Sequence, residues 1–282
     1  MRKKEIVILG HVCIDRNKAE KIYYVAAGGS ATFMARVCNQ LSCQTKIISP
    51  YGRDFLKYSS LSMVAQPSYR PRTLVYENII KGKSRLQKVY HSKDAHPAEI
   101  TEKAQKAIKT ADIVFVAPLL PNFSVSYVSE AIGCAKKGAV KILLPQGYFR
   151  SVNSRKEIVK RKFVEANKIL PLFDFTIVSD EDFPHIKELA RVWTKRGKTK
   201  IIITLGEKGV LIIEKNKETM VPTTPVAQDK IVDSVGSGDI FGAGFAFEYA
   251  RTKNVIYAAE FGNKLAYINL FYPSDKIRTE LA

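Results

Sequence analysis

The chain has no run of 18 apolar residues, so nothing in it reads as a membrane-spanning helix. Its four cysteines, Cys13, Cys38, Cys43 and Cys134, form no Cys-x-x-Cys pair, and its four histidines are scattered. Zinc spacing is therefore lacking, and reduced cytosolic thiols are the plain reading. There is no Gly-x-x-x-x-Gly-Lys-Ser/Thr loop, which excludes a P-loop enzyme. The spacing Gly236-x-Gly238-x-x-x-Gly242 misses the dinucleotide fingerprint by one residue, and no acidic ribose partner follows it. No internal repeat, low-complexity tract or linker appears. The apolar stretch Ile6 to Leu9 is too short for a signal peptide and reads as a first strand. A cytoplasmic protein is expected.

What is there suits a packed domain. Apolar residues make up 46% of the 282, enough for a sizeable core. Lys and Arg number 45 against 27 Asp and Glu, a net charge of +18. That excess favours basic solvated faces over a nucleic-acid site, because the positive residues are spread along the chain with modest clusters at 81–85 and 155–162. Nucleic-acid binding is the weakest of the functions weighed.

Taken in order, Ile6 to Gly10 is a buried-type strand and His11 to Val25 a more polar stretch holding Asp15. Gly28 and Gly29 open a helix with Ala31, Met34, Ala35, Cys38 and Leu41 on one face. A short strand at 46–49 follows. Thr73 to Ile80 and Arg85 to Tyr90 alternate as a hairpin turning at Lys81-Gly82-Lys83. From Ala98 onward helices and strands alternate: helix 100–110, strand 112–117, helix 124–137, strand 140–144, strand 175–178, helix 180–195, strands 201–205 and 210–214. Ser154 to Glu157 reads as a capping box opening a further helix. Pro184 is placed in the first turn of the helix over 180–195, where proline is tolerated. This alternation predicts one α/β domain over 1–282, with a doubly wound, mostly parallel sheet and ligands at the carboxyl ends of its strands.

The richest stretch is Ile231 to Phe245. An apolar β-type run ends at Asp233, and a helical pattern carries Phe241, Phe245 and Tyr249. Between and within them lie Gly236, Gly238, Gly242 and Gly244. Each helical glycine costs about 1 kcal/mol relative to alanine. Close approach of backbone amides to an anion at a helix N-terminus justifies such a cost. Asp239, in the first turn, is then placed to accept a proton from a hydroxyl attacking a phosphate.

Asp233-Ser234-Val235-Gly236-Ser237-Gly238-Asp239 resembles the Asp-Thr-x-Gly-Ala-Gly-Asp signature of the ribokinase-like (PfkB) carbohydrate kinase family. The likeness covers nearly the whole chain. It implies a ribokinase-like fold with a small β lid, lid segments at about 11–26 and 69–92, and transfer of the γ-phosphate of ATP to a hydroxyl of a small alcohol. It makes Asp239 the base and the amides of Gly236, Ser237 and Gly238 the anion hole. Asp15, Gly28, Gly29, Phe33 and Arg150 fall to the substrate. Thr204, Gly206, Gly209 and Asn263 fall to ATP, and Asp182 acts on Mg2+ through water. The resemblance leaves room for a monovalent cation and for a homodimer through the lid.

Three positions depart from the family pattern. Phe33 stands where an Asn is usual. Ser179-Asp180-Glu181-Asp182 stands for Asn-x-x-Glu, with the carboxylate one methylene shorter. Pro145 stands where many members carry Asp. Members similar to inositol and nucleoside kinases share an aromatic at Phe33 and the run Gln146-Gly147-Tyr148-Phe149-Arg150, which points to a sugar, polyol or nucleoside as acceptor, with the last two favoured. The departures also leave a second reading, a catalytically weak or inactive protein of this fold that binds a small ligand.

Overall fold

The computed structural model describes residues 2–18, 23–67, 72–81 and 84–280. In chain order the elements are β1 (Glu5–Gly10), β2 (Cys13–Lys18), β3 (Tyr23–Gly28), α1 (Ser30–Gln40), β4 (Gln44–Ile48), β5 (Val75–Lys81), β6 (Ser84–Tyr90), α2 (Glu102–Thr110), β7 (Ile113–Ala117), α3 (Val125–Gly133) and β8 (Val140–Leu143). There follow β9 (Arg150–Val152), β10 (Ile158–Lys160), α4 (Ala166–Ile169), β11 (Phe175–Ser179), α5 (Ile186–Arg196), β12 (Lys200–Thr204), β13 (Val210–Glu214), β14 (Lys217–Val221), α6 (Ser237–Thr252) and α7 (Val255–Asn269).

Eight strands form the large sheet in the order β14-β13-β12-β11-β8-β7-β1-β4. All its pairs are parallel except β12–β13 and β13–β14. Its central strands are buried on both faces, so their side chains divide by alternation. Ile6, Ile8 and Phe115 face α1, α6 and α7, while Val7, Leu9 and Val114 face α2, α3, α4 and α5. A smaller sheet, β3-β2-β5-β6, stands apart from it. The hairpin of β5 and β6 joins it through β2, where Asp15 pairs with Tyr76. The expected turn at Gly82 and Lys83 lies outside the described residues, as do 19–22 and 68–71 of the two lid segments.

Three local expectations fail for identifiable reasons. Ser154 to Glu157 opens no helix. The Asn153 carboxamide oxygen accepts from the amides of Arg155 and Glu157, both at 2.9 Å, and Lys156 takes a left-handed φ of 65°. This side-chain turn outcompetes the helix and joins β9 to β10. The helix expected from Asp180 begins at Ile186 instead. Asp182 accepts from its neighbour Ser179's amide at 2.9 Å, and Ser179 Oγ accepts from the amide of Glu181 at 3.2 Å. Those bonds hold a turn, and Pro184 precedes the helix instead of lying in its first turn. The run Ile231 to Asp233 makes no strand, because the amides of Val232 and Asp233 both donate to the Leu270 carbonyl beyond α7. The polar stretch after β1, in turn, conceals two strands, β2 and β3.

Candidate active site

The expected acceptor-side positions come together from β2, the end of β3, the start of α1, the segment Pro145–Arg150 and the start of α6. Gly236 precedes α6 with φ of 80°, a conformation L side chains rarely adopt. A Cβ there would also stand 2.6 Å from the Phe33 ring. Phe33, expected against the substrate, is 3% exposed and packs in the core beneath this glycine. The Ser237 amide is drawn 3.3 Å to the Ser234 carbonyl, closing the turn, and its hydroxyl donates to the same carbonyl at 2.9 Å. Among the described residues no such bond ties the amides of Gly236 and Gly238. A Cβ on Gly238 would face open space. Among the described residues the helix end thus keeps backbone donors outside the helix ladder, as anion binding requires.

Asp239 follows at once. It is 7% exposed, and its pKa is pushed up to about 7. Desolvation is the main cause, with the charges of Asp15 and Asp182 adding to it, while a bond from Ser30 and the Arg150 charge oppose it. Gln146 Nε2 lies 2.5 Å from Ser30 Oγ and 3.4 Å from Asp239 Oδ1. Ser30 and Gln146 therefore hold the carboxyl from α1 and from the segment after β8.

Asp15 lies in β2, 4% exposed, with Cys13 Sγ donating to Oδ1 at 3.0 Å. Burial, reinforced by Asp15, pushes the Cys13 thiol well up, so it stays a donor. Gly28 closes β3 opposite; a Cβ there would sit 1.9 Å from Asp15 Oδ2. Gly29 precedes α1, whose Thr32 and Phe33 amides donate to its carbonyl. Arg150 begins β9, its guanidinium carbon 5.8 Å from the Tyr76 ring centroid. Its charge pulls down both Asp239 and Asp182, against desolvation at each. Burial raises the Asp182 pKa.

The remaining expected positions lie by β12, β13 and α7. Thr204 ends β12, its hydroxyl donating to the Val178 carbonyl at 3.4 Å. Gly206 and Gly209 make the turn into β13, with the Leu205 amide donating to the Gly209 carbonyl at 2.8 Å. Asn263 is 7% exposed, and its amide donates to the carbonyls of Val221 and Pro222, each at 3.2 Å. The Tyr24 hydroxyl, which the sequence reading passed over, bonds Asp233 Oδ2 and also lies 2.5 Å from Ser274 Oγ. Asp233 is thereby occupied, since it also accepts from the amides of Val235 and Ser274. No local pattern marks Tyr24, because its partner is 209 residues away.

A family model for pfkB family carbohydrate kinases matches residues 3–280. The chain belongs to this family. It is similar to a cytidine kinase of Thermococcus kodakarensis, 27% identical over 263 residues, 88% of this chain and 89% of that one. A ribokinase of Haemophilus influenzae is 23% identical, covering 88% of this chain and 82% of that one. Among solved structures, a pyrophosphate-dependent kinase in the ribokinase family superposes with a TM-score of 0.78 at 20% identity, over 95% of this chain and 96% of that one. The adenosine kinase of Anopheles gambiae gives 0.74 at 16%, over 96% of each. These two likenesses establish the ribokinase-like fold. The pfkB kinase is a phosphotransferase of the sugar and nucleoside kinase type, and its family implies ATP as the donor. No helix among the described residues is long and apolar enough to cross a membrane.

Proposed function

We propose that the enzyme transfers the γ-phosphate of ATP to a hydroxyl of a small sugar, polyol or nucleoside, with Asp239 as general base. The observation that carries this reading is the Asp239 carboxyl, buried in the first turn of α6, with a pKa near neutrality and two untied glycine amides beside it. A base poised near the working pH combines the right protonation state with driving force for proton transfer. The acceptor hydroxyl gives its proton to Asp239 as its oxygen bonds to the γ-phosphorus. The bond from that phosphorus to the bridging oxygen breaks, releasing ADP. The amides of Gly236 and Gly238 meet the phosphoryl oxygens, with that of Ser237 partly engaged in its turn. Arg150 lies within electrostatic reach of Asp239 and Asp182 and balances the negative charge that accumulates there. Asp15, Gly28 and Gly29 bind the acceptor's other hydroxyls, and the small sheet that carries Asp15 is the lid over them. Thr204, Gly206 and Gly209 border the donor.

Magnesium fits as a guest of the phosphates. Among the described residues no group of three His, Cys, Asp or Glu side chains gathers into a metal cage. Magnesium would be held mostly by phosphate and water oxygens, with Asp182 touching it through water. Bound there, it would neutralise phosphate charge.

The Asn263 Nδ2 donates to the carbonyls of Val221 and Pro222, which leaves its Oδ1 as the acceptor it can offer an adenine amino group. Pyrophosphate, the donor of a structural neighbour, serves as the control donor. The test is donor consumption with cytidine, ribose and myo-inositol as acceptors and ATP or pyrophosphate as donor. Consumption that requires an acceptor, and that falls about 10²–10⁴-fold in Asp239→Asn, is expected. Wild-type turnover in Asp239→Asn sinks the assignment.

A further inference from the structure

We infer that Asn17 is a specificity-determining residue for the acceptor, donating a hydrogen bond from Nδ2 to a lone-pair atom at the acceptor's far end. The inference rests on the phosphotransfer reading above and names what that reading leaves open.

Cys13, Asp15 and Asn17 alternate along β2 and so share one face of the small sheet. Across the sheet Asn17 pairs with Tyr24 on β3 and with Asn78 on β5, and Asn78 pairs with Gln87 on β6. The Tyr24 hydroxyl reaches Asp233, just before the glycine turn, so this row faces the catalytic loop. Within the row the amides are wired in one direction. Gln87 Nε2 donates to Asn78 Oδ1 at 2.7 Å, and Asn78 Nδ2 donates to Asn17 Oδ1 at 2.7 Å. The relay ends at Asn17 Nδ2, which is buried and has no hydrogen-bond partner among the described residues. Asn17 is 2% exposed.

A buried donor without a partner is costly, about 1–3 kcal/mol, and native interiors rarely retain one without a use. Two carboxamides are already committed to holding this one in place. Asn17 lies about 7 Å along the strand from Asp15. The acceptor thus presents its reacting hydroxyl to Asp239, hydroxyl donors to Asp15, and an oxygen or ring nitrogen with a free lone pair to Asn17. Sites built to hydrogen-bond a substrate group reject analogues that lack it far more strongly than apolar pockets do.

The experiment reads acceptor KM in the active enzyme. It also reads acceptor-induced thermal shifts in the Asp239→Asn background, which reports binding without turnover. Cytidine, ribose and myo-inositol are the probes. Asn17→Leu should raise the KM of the best acceptor by about tenfold to a hundredfold and abolish its thermal shift. Gln87→Leu, which frees the relay to turn, should raise acceptor KM a few-fold with kcat unchanged. Asn17→Asp still accepts from Asn78 but turns the outward group into an acceptor. Loss of the shift with Asn17→Asp assigns the bound atom as a carbonyl or ring nitrogen, as in cytidine. Retention of it assigns a hydroxyl, which can donate instead, as in ribose or myo-inositol. A retained ATP-induced shift shows that each variant is folded; where Asn17→Leu does not fold, Gln87→Leu decides alone. Acceptor KM and shift unchanged in the leucine variants overturn the inference. A wild-type protein stabilised by an acceptor but consuming no donor would sink the phosphotransfer reading while leaving Asn17 testable by binding.

Discussion

Asp239 carries a charge balance that kinetics can read. Its pKa of about 7 arises from burial and from Asp15 and Asp182, held back by Ser30 and Arg150. Only the ionised form can take a proton. The value of kcat/KM should therefore fall about tenfold per pH unit below 7 and level off above it, as measured with saturating donor. Ser30 lowers that pKa by donating to the carboxylate. Ser30→Ala should accordingly move the acid limb of the profile to higher pH, with the alkaline plateau less affected. An acid limb that does not move in Ser30→Ala would show that the serine contributes packing alone. Ser30 itself was not legible in the sequence, because Gln146 and Asp239 come to it from other parts of the chain and the Gln146 contact spans 116 residues.

At the scale of elements, the glycine turn and α1 form one mechanical unit. Phe33 fills the space beneath Gly236 that any side chain there would need. Gly236→Ala should cost the left-handed strain, about 1–2 kcal/mol, plus whatever displacing the ring requires, and should raise donor KM. In a Phe33→Ala background, itself about 3–5 kcal/mol less stable, the same alanine should cost little beyond the strain. A double-mutant cycle by urea unfolding measures the difference. Additive effects would show that ring and turn are uncoupled. This unit also shows what the sequence could convey. Glycine spacing and the acidic residue in the first helical turn are local signals, and the alternation of apolar runs revealed most of the large sheet. That Phe33 is a core residue follows from its apolar character alone, but its contact with the Gly236 turn joins distant parts of the chain and comes only with the fold. Ser154 to Glu157 misled because the deciding residue, Asn153, lies just outside the motif and bonds the backbone itself. Strands β2 and β3 were obscured because the row through Asn17 and Tyr24 is polar on a buried face, which breaks the apolar alternation by which strands are recognised.

For the whole molecule, two buried groups set opposing pH dependences of stability. His11 is fully buried between a ring nitrogen contact to the Ala95 carbonyl at 3.1 Å and the Leu119 amide donating to Nδ1 at 3.0 Å. Burial lowers its pKa from 6.5 to about 4. Between those values the unfolded chain binds a proton that the folded one refuses, so stability rises with pH through the window, by about 3 kcal/mol in all. Asp239 has the opposite sign. Its folded pKa of about 7 exceeds the ordinary 3.8. Between those values the folded state keeps a proton that the unfolded state has lost, and stability falls as pH rises, by about 4 kcal/mol at most. The two slopes offset each other from about pH 4 to 6.5. Asp239→Asn removes one of them. The variant should be more stable than the wild type at pH 7.5, converge with it near pH 4, and lose stability on acidification below pH 6.5 as the unfolded chain takes up the proton that buried His11 refuses. Urea unfolding at half-unit steps from pH 4 to 8 gives both curves, and their difference isolates the carboxyl from every other titrating group. A difference that does not change with pH would mean that Asp239 ionises alike in the folded and unfolded chains. The near-neutral base would then have to be sought elsewhere in the site.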